Sequence, residues 1–222
     1  MTTLTGPSVP AASGRTEQLV ILAHGYGADG NDLISLAPYW QRLLPNAAFI
    51  APNAPERCDV GFGYQWFPIS RLDPVEILRG ILAAAPIFDR FIDEELARHG
   101  LDETKLALVG FSQGTMMSLH VGLRRKRAPA AIVGYSGALA GAERLADEIA
   151  CRPPILLVHG DMDEMLPVSR MHHAAEALGA AGLSVRWHVS RGLGHGIDPE
   201  GLELGGQFLM DAFAGSLMAA GA

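Results

Sequence analysis

The sequence predicts an α/β fold, a mostly parallel sheet of about seven strands with helices on both faces. Two observations lead there. Runs of strand formers alternate with amphipathic helical stretches along nearly the whole chain. Several of those runs, such as Gln18 to Ala23 and Lys105 to Val109, are apolar at almost every position, the mark of strands covered on both faces. No internal repeat and no shift in composition marks a linker. The 222 residues are therefore read as a single domain, with 1–16 as an N-terminal edge segment.

Composition narrows the class further. Hydrophobic residues make up 49% and charged residues 18%, which suits a packed globule rather than a disordered segment. A formal net charge of -7 argues against nucleic acid as a partner. The basic run Arg124-Arg125-Lys126-Arg127 falls at the end of a predicted helix, where cations face the negative end of the helix dipole. Cys58 and Cys151 have no metal or redox spacing and are read as free thiols in a reducing compartment. Met1 to Thr16 lacks a basic and an apolar signal region, and no apolar run approaches the roughly 20 residues a membrane span needs. A cytoplasmic protein is expected.

In order, the first residues are rich in Ser, Thr, Gly and Pro, with a short edge strand expected at Thr2–Leu4. A buried strand at Gln18–Ala23 opens into the glycine-rich loop His24 to Gly30. A helical pattern follows from Asp32 to Leu44, interrupted near Pro38, and then a short strand at Ala47–Ala51. From Asn53 to Leu72 there is no clear period. Asp73-Pro74-Val75-Glu76 reads as a capped helix start, and that helix runs to His99, is kinked at Pro86 and stops at Gly100. Further strands are expected at Lys105–Phe111, Ala130–Tyr135, Ile155–His159 and Ser184–Val189. Helices are expected at Gln113–Lys126, Pro167–Ala180 and Pro199–Ala214.

In such a sheet, reactive residues collect beyond the carboxyl ends of the strands. Gly110-Phe111-Ser112-Gln113-Gly114 has the strand-turn-helix setting of a nucleophile elbow, with Ser112 at the tip and glycines where a Cβ would collide with neighbouring elements. The loop after Val158 carries Asp161 and Asp163; the loop after Val189 carries His195 between Gly194 and Gly196. Serine, acid and histidine in that order match the α/β-hydrolases. Ser112 would attack an acyl carbonyl, His195 would carry its proton, and an aspartate would fix the histidine tautomer. Asp163 is favoured as that acid. Asp161, directly after the strand and its glycine turn, suits fastening the loop to backbone N–H groups.

Acyl transfer also needs donors for a developing oxyanion. The Gln113 amide at the helix start and the Tyr26 amide in the His24 to Gly30 loop are the candidates. Phe62, Tyr64, Trp66 and Phe67, set among Gly61 and Gly63, are equally compatible with a substrate pocket and with simple burial. Trp66 is the expected pocket residue. The adjacent His172-His173 pair points to different helix faces and is a poor metal site.

These motifs resemble the carboxylesterase/phospholipase family of small α/β-hydrolases, which includes bacterial carboxylesterases and acyl-protein thioesterases. The resemblance runs from Leu19 to Phe213. It is carried by Leu22-Ala23-His24-Gly25-Tyr26-Gly27, Pro52-Asn53-Ala54-Pro55, Gln65-Trp66-Phe67, the Ser112 elbow, His159-Gly160-Asp161-Met162-Asp163 and Gly194-His195-Gly196. It implies Ser112 as nucleophile, Asp163 as acid, His195 as base, Tyr26 and Gln113 as oxyanion amides, no cofactor and no metal. It also implies hydrolysis of carboxylic esters, with lysophospholipids or protein thioesters as alternative substrates. Tyr26, Pro68 and Thr115 stand where the thioesterase branch usually has leucine, aspartate and glycine. Those departures tilt the expectation to a general carboxylesterase acting on short to medium acyl or aryl esters. Short spacings between motifs leave little room for a lid domain. A non-catalytic binding protein on this fold would usually have lost a triad member, and here all three are present. The oligomeric state stays open between monomer and homodimer.

Overall fold

The computed structural model describes residues 3–58, 62–69 and 73–217. The first half of the chain supplies β1 (Ser8–Val9), β2 (Gln18–Ala23), α1 (Gly30–Ile34), α2 (Ala37–Trp40), β3 (Ala47–Ile50), β4 (Glu56–Arg57), β5 (Tyr64–Gln65) and α3 (Pro74–His99). The second half supplies β6 (Leu106–Phe111), α4 (Gln113–Gly122), β7 (Ala131–Tyr135), α5 (Leu145–Glu148), β8 (Ile155–Gly160), α6 (Ser169–Ala180), β9 (Val185–Ser190) and α7 (Pro199–Phe213). Among the described residues the main sheet has seven strands in the order β1-β3-β2-β6-β7-β8-β9, and β4 and β5 form a separate two-stranded ribbon. β1 is antiparallel to β3; the other pairs in the main sheet are parallel.

The apolar runs become central strands because both of their faces are covered. Leu19, Ile21, Leu106 and Leu108 point into one core, shared with Ile81, Phe88 and Ile92 of α3 and Met117 of α4. Val20, Leu22, Ala107 and Val109 point into the other, with Leu33, Trp40, Phe208 and Leu209. The chain leaves β2 for β3 on one side and reaches β6 on the other, so the strand order reverses between β2 and β6. A crevice opens there, beyond the carboxyl ends of the two strands.

Most expected elements are present, with three differences of physical interest. The N-terminal edge strand is Ser8–Val9 and not Thr2–Leu4, of which Thr2 lies outside the described residues. Leu4 is instead buried as a core anchor, and Pro10 ends the pairing after Val9 because it has no N–H to give. The Asp32 to Leu44 pattern is two short helices: Asp29 caps the first through Asn31 N–H and Asp32 N–H, and Pro38 sits in the first turn of the second. The long helix α3 has the expected bounds and continues through Pro86; Asp73 caps it at one end and left-handed Gly100 closes it at the other.

The largest difference is α4, which stops at Gly122 and not at Lys126. Arg124 does reach a helix carbonyl, that of His120 at 2.9 Å, but the run mainly forms ion pairs. Arg124 pairs with Glu148 of α5, while buried Arg125 reaches Asp89 and Asp93 of α3 at 2.5 and 2.6 Å and Glu103 at 3.4 Å. Arg124 and Arg125 thus clasp neighbouring helices, and a buried guanidinium needs such partners.

The elbow rests on one close approach. A Cβ on Gly114 would stand 1.9 Å from the Ala23 carbonyl oxygen at the end of β2. Gly114→Ala is therefore expected to cost about 3 kcal/mol or more of stability, measured by urea unfolding, because backbone on both sides must move. A loss under about 1 kcal/mol would show that α4 and β2 are not held this tightly.

Candidate active site

Ser112 joins β6 to α4 with φ 54° and ψ -113°, a conformation a side chain rarely adopts. Such strain costs on the order of 1–3 kcal/mol and persists only where the surroundings impose it. Here the surroundings are specific. The Ser112 N–H donates to Tyr135 O at 2.9 Å across to β7, and its carbonyl accepts from Thr115 N–H and Met116 N–H. A Cβ on Gly110 would lie 2.4 Å from the backbone of Gly114 and Thr115, so the two glycines are steric necessities. Thr115 Oγ1 lies 2.8 Å from Gly110 O and 2.9 Å from Tyr135 O, bracing the turn from behind. The Ser112 side chain caps nothing, which leaves its hydroxyl at the half-buried tip.

The loop after β8 meets the loop after β9. A Cβ on Gly160 would stand 2.2 Å from Leu193 O, and Met162 N–H donates to that same carbonyl at 2.9 Å. Asp161 is exposed, and its Oδ1 accepts from Gly192 N–H at 2.6 Å. Asp163 turns inward, and its Oδ2 lies 2.8 Å from His195 Nδ1. The other oxygen, Oδ1, accepts from Met165 N–H at 3.0 Å and Leu166 N–H at 2.9 Å. Buried His159 lies alongside, its Nε2 3.1 Å from Oδ2 but 2.7 Å from Leu166 O, to which it donates. The geometry thus brings Asp163, not Asp161, to the histidine.

Burial pushes the Asp163 carboxyl upward, but the Leu166 N–H, the hydrogen bond from His195 and the neighbouring imidazoles outweigh it. The group sits below its ordinary value. With Nδ1 held by a carboxylate, His195 turns its Nε2 away from Asp163. The imidazole lies against Phe111, ring centroids 4.9 Å apart, one residue from Ser112.

Facing Ser112 is the loop after β2. A Cβ on Gly25 would fall 3.3 Å from Ser112 Cβ, so the backbone entering Tyr26 lies against the elbow. Gln113 is the first residue of α4, and its N–H has no acceptor within the helix. Residues 53–67 hold this loop in place. Fully buried His24 accepts from Ala54 N–H through Nε2 at 2.9 Å, and its Nδ1 faces Gly25 O at 2.7 Å. Burial lowers its pKa, which suits this neutral tautomer. Gly30 N–H donates to Asn53 Oδ1, Gly27 N–H to Tyr64 O, and Tyr64 N–H to Ala28 O.

Trp66 is not where a pocket residue would be. Its side chain is 1% exposed and packs edge-on against Phe88, while its Nε1–H donates to the His24 carbonyl at 3.0 Å. Phe67 is buried too, whereas Phe62 is almost fully exposed; Gly61 lies outside the described residues. The aromatic segment braces the site from below. Two contributors have no signature in the sequence. The Gln113 side-chain amide accepts from Trp66 N–H at 2.8 Å and donates to Phe67 O at 2.7 Å, using both ends as only an amide can. Ser136, at φ 45°, donates its hydroxyl to Gly196 O at 3.1 Å and tethers the histidine loop to β7.

Comparison with known proteins places this architecture. Residues 4–211 match the family model described as Phospholipase/Carboxylesterase. The chain is 32% identical over 212 residues to acyl-protein thioesterase 1 of Gibberella zeae, covering 87% of this chain and 89% of that protein. It is 26% identical over 195 residues to esterase YpfH of Escherichia coli, covering 88% and 81%. Among solved structures, esterase PE8 is 43% identical with a TM-score of 0.92, covering 95% of this chain and 99% of that one.

The depressed Asp163 carboxyl has a consequence for acid stability. A group whose folded pKa lies below its unfolded value of about 3.9 stabilises the fold above that pH, and the contribution fades as pH falls through the folded value. Asp163→Asn should therefore melt below wild type at about pH 6, with the gap narrowing as pH drops below about 4. A melting-temperature gap that stays constant from about pH 6 to about pH 3 would contradict this.

Proposed function

The chain belongs to the phospholipase/carboxylesterase family of α/β-hydrolases, and we propose that within it this protein is a carboxylesterase acting through Ser112, His195 and Asp163. The observation that carries the reading is the 2.8 Å pairing of Asp163 Oδ2 with His195 Nδ1, beside a serine held in a strained elbow.

In this reading Ser112 Oγ attacks the ester carbonyl carbon while His195 Nε2 takes the hydroxyl proton. The carbonyl oxygen becomes negative and is met by the N–H groups of Tyr26 and Gln113, each worth on the order of 10² to 10³ in rate. Collapse breaks the bond to the alcohol oxygen, which leaves with the proton from His195. Water then attacks the acyl-serine, His195 takes its proton and returns it to Ser112 Oγ, and the carboxylic acid departs. Asp163 stays ionised throughout. It fixes the proton on Nδ1 and stabilises the imidazolium, a role its depressed pKa favours. The side chains of Trp66, Gln113 and His24 position the amide loop and do not touch substrate. Free Cys58 and Cys151 accord with a reducing cytoplasm.

A second reading, thioester hydrolysis on acylated proteins, is favoured by the fungal relative named acyl-protein thioesterase 1. Both readings share the acyl-enzyme chemistry and differ in leaving group. Tyr26, Pro68 and Thr115 depart from the thioesterase pattern and weigh toward simple esters.

Ser112→Ala should lower kcat/KM for an aryl ester such as p-nitrophenyl acetate by at least about 10³, with an unchanged circular-dichroism spectrum and a melting temperature close to wild type. A serine-directed phosphonate should add its mass to wild type and not to the variant. Activity retained above about a thousandth of wild type would overturn the nucleophile assignment.

A further inference from the structure

Two grooves on the α1–α2 side of the site adjoin, sharing three lining residues. The nearer, of about 230 Å³, is lined by Asp32, Leu33, Ser35, Leu36, Phe111, Gly196 and Ile197. The farther, of about 490 Å³, lies between α2 and α7 and shares Ser35, Leu36 and Ile197 with it, continuing past Tyr39, Leu43 and Leu202. Its floor is fixed, since buried Trp40 donates Nε1–H to Leu202 O at 2.9 Å. The walls stay open: Tyr39 is 67% and Leu43 38% exposed.

Resting on the esterase reading above, we infer that this groove seats the alcohol portion of the ester. The substrate class is esters of neutral, apolar alcohols. Direction decides which half of the substrate lies here. The carbonyl oxygen must face the Tyr26 and Gln113 amides, whereas the leaving oxygen must face His195 Nε2, which protonates it. The near end of the groove is built from the neighbours of His195: Gly196 and Ile197 follow it in the chain, and the Phe111 ring lies 4.9 Å from the imidazole. A chain attached to the leaving oxygen therefore enters past Ile197 and Leu36 and runs toward Tyr39 and Leu202. Asp32 and Glu203, both on the lining and turned to solvent, set a negative rim that disfavours anionic alcohols such as phosphate-bearing ones. An apolar groove with few polar groups gives affinity that grows with chain length.

The test compares two isomers, octyl acetate and ethyl octanoate, within matched series in which the chain is lengthened on the alcohol or on the acyl side. In wild type kcat/KM should rise along the alkyl acetates, by up to about fourfold for each methylene fully seated, and more steeply than along the ethyl alkanoates. Leu36→Trp, which fills the shared neck, should cut the ratio of octyl acetate to ethyl acetate by at least about tenfold. A rise confined to the acyl series, or a ratio unchanged in a folded Leu36→Trp, overturns the assignment while leaving the esterase reading intact. If that variant does not fold, the two wild-type series still decide. Failure of every ester in both series overturns the esterase reading and this inference with it.

Discussion

The Asp163 carboxylate is shut away from solvent, and its position is set by three hydrogen-bond donors. Met165 and Leu166 N–H hold one oxygen and His195 holds the other, with His159 packed alongside and bonded to Leu166 O. A carboxylate left unpaired in that place would be strongly destabilising, so the loop after β8 must close around it. That closure brings Gly160 against Leu193 and joins the loops after β8 and β9 into one unit. The orientation of His195 follows from that unit, and with it the geometry at Ser112.

On the opposite side the constraint is steric. The elbow sits where Gly110 and Gly114 let helix α4 press against β2, and Gly25 lets the next loop press against Ser112. The loop after β2 is held by the Ala54 N–H on His24, the Trp66 indole on the His24 carbonyl, and the backbone exchange between Ala28 and Tyr64. Gln113 closes the bracket by gripping the backbone of Trp66 and Phe67 with its amide. The backbone facing Ser112 keeps its place through this buried layer of hydrogen bonds.

The parts legible from sequence were those with a local physical cause. Apolar runs announce strands covered twice, and glycines at fixed offsets announce the elbow, because sterics act over a few residues. The choice between Asp161 and Asp163 was only weighted, since both follow β8 closely and their partners, Gly192 and His195, are some thirty positions on. The burial of Trp66 in the core is not legible for a related reason. Aromatic clustering signals burial, but not whether a ring faces a cleft or the core. Ser136 and the side chain of Gln113 left no signal at all, because their value lies in hydrogen bonds to distant backbone. The early end of α4 was hidden likewise: the carboxylates that draw Arg125 out of the helical pattern belong to α3 and to Glu103.

The account depends most on Asp163 being the carboxylate that orients His195, and a pair of near-isosteric variants tests it. Asp163→Asn should keep the loop folded but favour the wrong imidazole tautomer, lowering kcat on an aryl ester by on the order of 10⁴. Asp161→Asn should keep kcat within about tenfold of wild type and lower the melting temperature, because it weakens only the tie to Gly192 N–H. The opposite pattern, with Asp161→Asn inactive but stable and Asp163→Asn active, would contradict the account at its centre.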